Sequence, residues 1–266
     1  MTPVDQGTRK KTIAAAFGAA ADGYEDDADS QRLIANKLAE CIASQSLPDA
    51  PMILEIGCGT GFLNRALHPH LPKARWLITD LSEPMVKHCQ RNFGNGTDAA
   101  FLVMDGEQPC FASGALHRGF DLICANLALQ WFVEPKAALA AWTTMLRPGG
   151  LLAFSTLADG SFSEWRVAHQ ALGLAPGSHI YPNAQALGRM LPENGIGRIE
   201  FVPLVHNYTN GYAFLKVLKR IGAEIPTAGY QPLPPGALRR LLRRFDGGIN
   251  VTYHVAYGLF RKDDEL

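Results

Sequence analysis

The chain of 266 residues has few cysteines, and their spacing suits neither a metal site nor a disulfide framework. The five cysteines are odd in number and widely scattered, and no two of them form a CxxC pair. Such usage is typical of a reducing compartment and argues against zinc. His68 and His70 flank a proline and have no carboxylate partner within sequence reach. We therefore expect no metal.

The chain also has no net charge and no long apolar run. Lys and Arg number 25, as do Asp and Glu, so the formal charge at pH 7 is zero. No apolar run approaches the roughly 20 residues of a membrane span. The basic residues near the N-terminus are not followed by the apolar segment of a secretory signal. These absences predict a cytoplasmic, globular protein with no membrane association.

Apolar residues alternate between short strand-like segments and longer helix-like segments, which is the pattern of an open, mostly parallel α/β sheet. We predict strands at 52–56, 75–79, 100–104, 120–126, 151–156, 198–204 and 252–260. Helices are predicted at 31–45, 61–68, 83–93 and 134–146. The prediction is an α/β fold with a doubly wound, mostly parallel seven-stranded sheet. A single domain covers residues 1–266, with a helical insertion at 206–250 before the last strand.

A glycine-rich turn follows the first predicted strand. Gly57, Gly59 and Gly61 leave the backbone bare where a strand meets a helix, so that N–H groups and the helix N-terminus can contact a ligand. The spacing is GxGxG, whereas a nicotinamide oxidoreductase would need GxGxxG. Glu55, two residues before the turn, would repel a diphosphate but not a cationic ligand. A tight turn that binds nothing is the alternative interpretation.

Two acids follow at the ends of the next predicted strands. Asp80 lies nineteen residues after Gly61, where doubly wound folds place an acid that holds a ribose diol. Asp105 ends the third strand in the same way. Either acid can instead cap a helix or lie in a solvated loop. Their shared position at strand ends favours a ligand site.

Four motifs, "LEIGCGTG", "TDLSEPM", "MDGEQPCF" and "ANLALQW", together resemble the class I S-adenosylmethionine-dependent methyltransferases, which share a Rossmann-like fold. The resemblance implies S-adenosylmethionine as cofactor and S-adenosylhomocysteine as product. It also implies cofactor contacts from several strand ends. The methionine moiety is assigned to Gly57, Cys58, Gly59 and Gly61, the ribose to Asp80, the adenine to Leu81, Met85, Asp105 and Gly106, and the sulfonium side to Asn126 and Leu127. Glu55 is a further predicted cofactor-binding residue.

Further stretches resemble the malonyl-acyl-carrier-protein O-methyltransferases of biotin synthesis over nearly the whole chain. They are "FGAAADGY" at 17–24, "NLALQW" at 126–131, "LKVLKRIGA" at 215–223 and the closing "TYHVAYGLFRK". The chain departs from that family at "QPCF", where a more apolar "LPF" is common, and in the segment 161–195. The resemblance implies methylation of the free carboxylate of a malonyl thioester on acyl carrier protein or coenzyme A. The resulting methyl ester would prime pimeloyl synthesis.

The segment from Asn210 to Gly247 is basic although the whole chain is neutral. This segment contains seven Lys and Arg residues but only two acidic residues. The basic residues are Lys216, Lys219, Arg220, Arg239, Arg240, Arg243 and Arg244. In "ALRRLLRRF" the leucines and Phe245 follow the spacing of a buried helix face, which leaves the arginines outside. Such a surface would steer an acidic carrier protein. A solvated face without a partner is the alternative, and nucleic acid is disfavoured because no aromatic residues interleave with these charges.

The implied reaction needs no general base, because a malonyl carboxylate is already ionised at neutral pH. Tyr24 and Gln130 are therefore predicted to position groups only, and Phe17 and Trp131 to contact the substrate. Residues 10–30 are the predicted lid, which would exclude water from the transfer. We expect a monomer. Two alternatives remain, namely another small-molecule methyltransferase and a catalytically silent methyltransferase-like assembly factor.

Overall fold

A computed structural model of the protein describes residues 3–111, 119–227 and 229–264, and for residues 3–5 it describes the backbone only. A seven-stranded sheet in the order β3-β2-β1-β4-β5-β7-β6 organises this part of the chain. The strands are β1 (Met52–Ile56), β2 (Arg75–Asp80), β3 (Asp98–Val103), β4 (Phe120–Asn126), β5 (Leu146–Leu157), β6 (Gly195–Tyr208) and β7 (Ile249–Lys262). The first five run parallel, and β7 is antiparallel to both its neighbours. The predicted doubly wound, mostly parallel sheet is confirmed.

Helices cover both faces of the sheet. They are α1 (Pro3–Ala20), α2 (Tyr24–Asp27), α3 (Asp29–Ala43), α4 (Phe62–Leu67), α5 (Glu83–Phe93), α6 (Pro135–Met145), α7 (Ser163–Gln170), α8 (Ala184–Gly188), α9 (Gly211–Arg220) and α10 (Pro235–Arg243). Short 3₁₀ turns occur at Ala21–Gly23, His68–His70 and Leu129–Trp131. The bounds of α5 match the prediction because a proline in its first turn marks the start and a glycine follows its end.

The last three strands are longer than predicted. β5 starts at Leu146, directly after α6, and so includes the "RPGG" segment, which lies before the strand predicted at 151–156. β6 and β7 each have 14 residues and pair from Gly195 with Lys262 to Tyr208 with Ile249. Many side chains of β6 are exposed because it is the outermost strand. The sequence prediction made these strands too short because polar residues at their ends interrupt the apolar pattern.

Each face of the sheet has its own buried layer, as both-sided helix packing requires. On one face, Ile34, Leu38 and Ile42 of α3 are buried against strand residues such as Ile53 and Leu122. On the other, α6 buries Leu139 and Trp142 against Leu54, Ile123 and Leu152. Neighbouring residues of β1 and β4 thus point into different layers. The alternation makes these two strands rigid supports for whatever lies at their carboxyl ends.

The order of the strands reverses between β1 and β4. From β1 the chain moves outward to β2 and β3, and it then returns to the other side of β1 to form β4. In open α/β sheets ligands bind in the crevice outside the carboxyl ends of the strands at such a reversal. The glycine-rich turn and the residues that follow β4 border this crevice. The topology therefore places the functional site there.

Replacing Gly258 of β7 with alanine tests the packing of β5 against β7. A Cβ at this position would overlap the ring of Phe154, which is fully buried. We expect G258A to lower the free energy of unfolding by about 1–3 kcal/mol, as overpacked cores do. Chemical denaturation measures the change. The control is G236A in the first turn of α10, where an added Cβ meets nothing within 4 Å, and its stability should be unchanged or slightly raised.

Candidate active site at the carboxyl ends of β1 and β4

A cavity of about 160 Å³ lies at the reversal of the sheet. Its walls come from the segments that follow β1, β2, β3 and β4, and from α1, which closes it from above. Ten of the predicted cofactor residues line it: Gly57, Cys58, Gly59, Asp80, Leu81, Met85, Asp105, Gly106, Asn126 and Leu127. The structure thus brings together residues from four strand ends that the sequence had grouped only by motif.

The glycine turn owes its shape to backbone angles that favour glycine. Gly57, Gly59 and Gly61 have φ of 70°, 54° and 97°, which lie in the left-handed region. At Gly57 an added Cβ would also stand only 2.8 Å from the Cβ of Ala128. The turn therefore passes close to the residues after β4, and its backbone forms the cavity floor.

Asp80 anchors this turn to the end of β2. One carboxylate oxygen, Oδ2, accepts a hydrogen bond of 2.9 Å from the Gly59 N–H. The other, Oδ1, accepts one of 2.8 Å from the Ser82 N–H. Burial raises the pKa of Asp80, although these N–H groups oppose the shift. Because a carboxylate can accept about four hydrogen bonds, Asp80 keeps capacity for a ligand diol.

Two predicted cofactor residues do not reach the cavity wall. Glu55 is 1% exposed and lies behind the turn, where its Oε2 accepts a hydrogen bond of 2.8 Å from Asn64 Nδ2. Burial raises the pKa of Glu55 to about 8. At Gly61 a Cβ would stand 3.0 Å from both Asn64 Oδ1 and Cys89 Sγ. Glu55 and Gly61 therefore support the shape of the turn from the side that faces away from the cavity.

Lys10 is a site residue that the sequence reasoning missed. Its Nζ lies 2.7 Å from Asp105 Oδ2 and 2.7 Å from Glu107 Oε2, and the side chain lines the cavity. Burial acts to lower the pKa of Lys10, but the two carboxylates outweigh it and the net pKa is raised. Glu107 also accepts hydrogen bonds from the N–H groups of Val133 and Glu134. No motif signals Lys10, because its partners lie 95 and more residues away.

The N-terminal segment supplies the roof of the cavity. Ile13 and Phe17 of α1 and Tyr24 of α2 line it, and the rings of Phe17 and Trp131 meet edge to face at 5.2 Å. Burial and the nearby charge of Asp80 raise the pKa of Tyr24. Within the described residues the Tyr24 hydroxyl has no hydrogen-bond partner, so it is available to a ligand. The predicted site residues Phe17, Tyr24 and Trp131 therefore lie at one cavity.

A second, larger cavity of about 630 Å³ adjoins the first. The two share six lining residues: Gln31, Leu127, Gln130, Trp131, Ile221 and Ala223. Gln130 accepts a hydrogen bond of 3.2 Å from Thr156 Oγ1, which directs its amide N–H₂ away from that contact. Elsewhere the second cavity is lined largely by apolar and aromatic side chains of α7, α9, α10 and the loops at 176–181 and 224–233. We call the wall that both cavities share the junction.

The basic residues of the insertion are exposed, as predicted. Lys216 and Lys219 of α9 border the second cavity, whereas Arg239, Arg240 and Arg243 lie on the outer side of α10. Arg220 is engaged elsewhere, since its Nη1 lies 3.0 Å from Asp27 Oδ2. No carboxylate of the described residues pairs with the five others. Leu241 of α10 and Phe245, which follows the end of that helix, are buried, as the predicted apolar face requires.

Comparison with known proteins adds to this geometry. A family model described as a methyltransferase domain matches residues 53–150. The chain is 37% identical over 263 residues to the malonyl-acyl-carrier-protein O-methyltransferase of Magnetococcus marinus, covering 97% of this chain and 94% of that protein. It belongs to this family. It is also 46% identical over 254 residues to the biotin biosynthesis bifunctional protein BioCD of Bordetella avium, but there it spans only 52% of the relative's length.

Solved structures support the fold. YcgJ of Bacillus subtilis superposes with a TM-score of 0.60 at 15% identity, covering 86% of this chain and 98% of that one. The plantazolicin methyltransferase BpumL, solved with S-adenosylhomocysteine, superposes with a TM-score of 0.55 at 16% identity. The match covers 98% of this chain and 100% of that one. The chain therefore has the class I methyltransferase fold.

S-adenosylmethionine is the cofactor of this methyltransferase, and the first cavity fits it. Asp80 offers acceptors for a ribose diol, Asp105 offers one for an amino group, and Leu81 and Met85 provide apolar contact. The acids of the wall suit a ligand with a cationic sulfonium. The volume of about 160 Å³ is below the roughly 300–1,000 Å³ of typical ligand sites, and residues of α1 form part of the cavity wall. Among the described residues, no helix is long and apolar enough to cross a membrane.

Replacing Glu55 with glutamine tests the buried carboxyl. Folding raises its pKa from 4.5 to about 8, so its favourable contribution is complete below 4.5 and is lost as the pH rises toward 8. We expect the thermal stability of the ligand-free protein to fall over this range, and that of E55Q to fall less. At about pH 8.5 the variant should unfold at least about 2–4 °C higher, the shift produced by ~1 kcal/mol. Identical pH profiles would show that the carboxyl ionises freely.

Proposed function

We propose that the protein transfers a methyl group from S-adenosylmethionine to the free carboxylate of a malonyl thioester carried by acyl carrier protein. The observation that carries this proposal is the second cavity, which joins the cofactor site to the exposed cations Lys216 and Lys219. An acyl chain on a flexible thioester arm needs such a passage between a docking surface and the reacting atoms. The family relationship supports the same substrate.

The reaction is one displacement. An ionised carboxylate oxygen forms a bond to the methyl carbon while the bond from that carbon to sulfur breaks and the sulfur keeps the electron pair. The products are a methyl ester and S-adenosylhomocysteine, and no proton is transferred. The cofactor supplies the activated methyl group. The protein has to align the carboxylate with it, and alignment alone can provide several kcal/mol of the barrier reduction.

Residues of the junction are placed for this alignment. The Gln130 amide and the Trp131 indole N–H are donors on the wall that both cavities share. The Tyr24 hydroxyl lies on the cofactor side. Since the reaction cancels a negative oxygen against a positive sulfur, water would stabilise the separated charges and slow the transfer. The roof formed by α1 and α2 excludes it.

The basic helices provide the docking surface in this proposal. Acyl carrier proteins are strongly acidic, and complementary charge mainly accelerates encounter. These charges lie in the segment between β6 and β7, and the apolar face of α10 leaves its arginines exposed. Methylation would remove the charge from the acyl end, so that elongation enzymes that expect an apolar chain accept it.

Incubation of the protein with malonyl-acyl carrier protein and S-adenosylmethionine, followed by mass spectrometry, tests the proposal. We expect the carrier to gain one methyl group that an esterase removes, and far slower methylation of free malonate. Equal rates on both substrates would contradict the carrier-protein assignment. Cofactor binding without methylation would favour another small-molecule substrate or a silent assembly factor.

Charge reversal on α10 tests the docking surface. R239E/R240E should lower the methylation rate of malonyl-acyl carrier protein several-fold at low salt and much less at high salt, because salt screens exposed charges. The control is K73E. Lys73 lies on a surface loop just before β2 and pairs with Asp49, and the methylation rate of this variant should stay near that of the wild type. A loss of rate that does not depend on salt would argue against electrostatic docking.

Removing the Lys10 contacts tests whether α1 is a lid. K10A deletes both ion pairs between α1 and the loop after β3, so we expect faster amide exchange in residues 6–20 and weaker cofactor binding. K11A is the matched control, because Lys11 is an exposed cation of the same helix. Unchanged exchange in K10A would show that α1 is held by its apolar contacts alone.

A further inference from the structure

Two histidines in the wall of the second cavity are held in fixed orientations by backbone carbonyl groups. His169 of α7 is buried, and its Nδ1 lies 2.8 Å from the carbonyl oxygen of Trp165, to which it donates. His179 Nε2 donates in the same way to the carbonyl oxygen of Ile225 at 3.0 Å. Because a carbonyl oxygen only accepts, each contact fixes which ring nitrogen carries the hydrogen. Both residues line the cavity, and the second nitrogen of each ring is free of that hydrogen.

Both rings are neutral near pH 7. Burial lowers the pKa of His169, and this effect outweighs the opposing one of the hydrogen bond to Trp165. Burial also lowers the pKa of His179, and the charge of Arg9 adds to the shift. A neutral imidazole accepts a hydrogen bond at its second nitrogen, whereas a protonated one only donates. The cavity therefore offers two acceptors, and a ligand that satisfies them must bring hydrogen-bond donors.

A buried hydroxyl group lies next to His179 in the chain. Ser178 lines the second cavity, and its Oγ is buried without a hydrogen-bond partner among the described residues. The loop around it is fixed, because the N–H of Thr227 donates to the carbonyl oxygen of Gly177 at 3.1 Å, beside the contact of His179 with Ile225. Buried hydroxyl groups are costly to leave unpaired. A ligand in the cavity can supply the missing partner after a rotation about one serine bond.

A pantetheine arm has the chemistry that this cavity requires. It joins apolar methylene and dimethyl groups to two amides, each with one N–H donor and one carbonyl acceptor. The cavity reaches the junction, where the rings of His179 and Trp131 lie 5.5 Å apart, and the exposed Lys216 and Lys219 also border it. These lysines suit the phosphate that attaches the arm to its carrier. A hydrocarbon tail would leave Ser178 and both histidines unpaired.

We propose that the second cavity binds the pantetheine arm of the substrate, with Ser178 donating to an amide carbonyl and with His169 and His179 accepting from amide N–H groups. The inference rests on the proposed function, because it assigns residues to the arm of that thioester. All three residues lie in the segment 161–195, where the chain departs from the family that it resembles. Acyl carrier protein and coenzyme A share this arm, and the proposed function supplies it from the carrier protein.

Two malonyl thioesters with the same reacting carboxylate test the assignment. Malonyl-pantetheine carries both amides and the malonyl ethyl thioester carries none, and kcat/KM is measured for each at saturating S-adenosylmethionine. We expect S178A and H179F each to lower kcat/KM for malonyl-pantetheine about three- to tenfold, equivalent to ~0.7–1.4 kcal/mol, and to change that for the ethyl thioester less than twofold. H179Q, whose amide both accepts and donates, should recover part of the loss. The control S46A alters an exposed serine that lines neither cavity, and it should change neither value.

Thermal unfolding of the ligand-free protein separates binding from stability. Because the Ser178 hydroxyl is unpaired in the structure, S178A should unfold at the temperature of the wild type or slightly above it. A lower unfolding temperature would show that the hydroxyl is bonded within the protein, and it would overturn the proposal. If H179F fails to fold, S178A decides the question alone.

The kinetic outcomes distinguish the possibilities. Equal losses on both thioesters would place these residues at the malonyl group and overturn the proposal, and so would a loss on neither. Malonyl-coenzyme A and malonyl-acyl carrier protein should lose the same factor in S178A, whereas R239E/R240E should slow only the carrier protein. A wild-type protein that binds S-adenosylmethionine but methylates no malonyl thioester would defeat the proposed function itself. Equal use of the pantetheine and ethyl thioesters would defeat only the role of the second cavity.

Discussion

The hydrogen bond from the Gly59 N–H to Asp80 Oδ2 is the constraint on which the site depends. It ties the glycine turn after β1 to the end of β2, and it fixes a backbone path that needs positive φ at three glycines. The same carboxylate lines the cavity and keeps acceptor capacity for a ribose diol, so we propose that one side chain fixes both the cavity floor and the ligand. Glu55 and Asn64 support the turn from behind, and the rest of the site is arranged around this floor.

Charge is distributed over the molecule according to the reaction. Asp80, Asp105 and Glu107 make the cofactor end acidic, which suits a sulfonium, and Lys10 offsets part of that charge. The exposed cations of α9 and α10 lie on the other side of the junction. In the proposed function, a cationic donor and an anionic acceptor approach from surfaces of opposite sign and meet in a largely apolar space. Because their charges cancel in the transition state, that space favours the transfer.

Local chemistry made much of this predictable. Strand β1, helix α5 and the glycine turn were found at or near their bounds because alternation, a proline start and glycine spacing are encoded within a few residues. The lengths of β6 and β7 were missed because their pairing with each other sets them. Lys10 and the shielding of Glu55 were missed for the same reason. Both depend on contacts between segments far apart in the chain, which no local pattern records.

Helix α1 lines the first cavity and also contacts the junction. Its Lys10 pairs with carboxylates of the loop after β3, and its Phe17 packs on Trp131 at the junction. On the proposal that α1 opens to admit the cofactor, these contacts of Lys10 and Phe17 are lost together and re-form together. The binding surface for the acyl end is then complete only after closure. An ordered sequence follows from this, in which the cofactor binds first and the carboxylate enters from the side of the second cavity, beneath a roof that already excludes water.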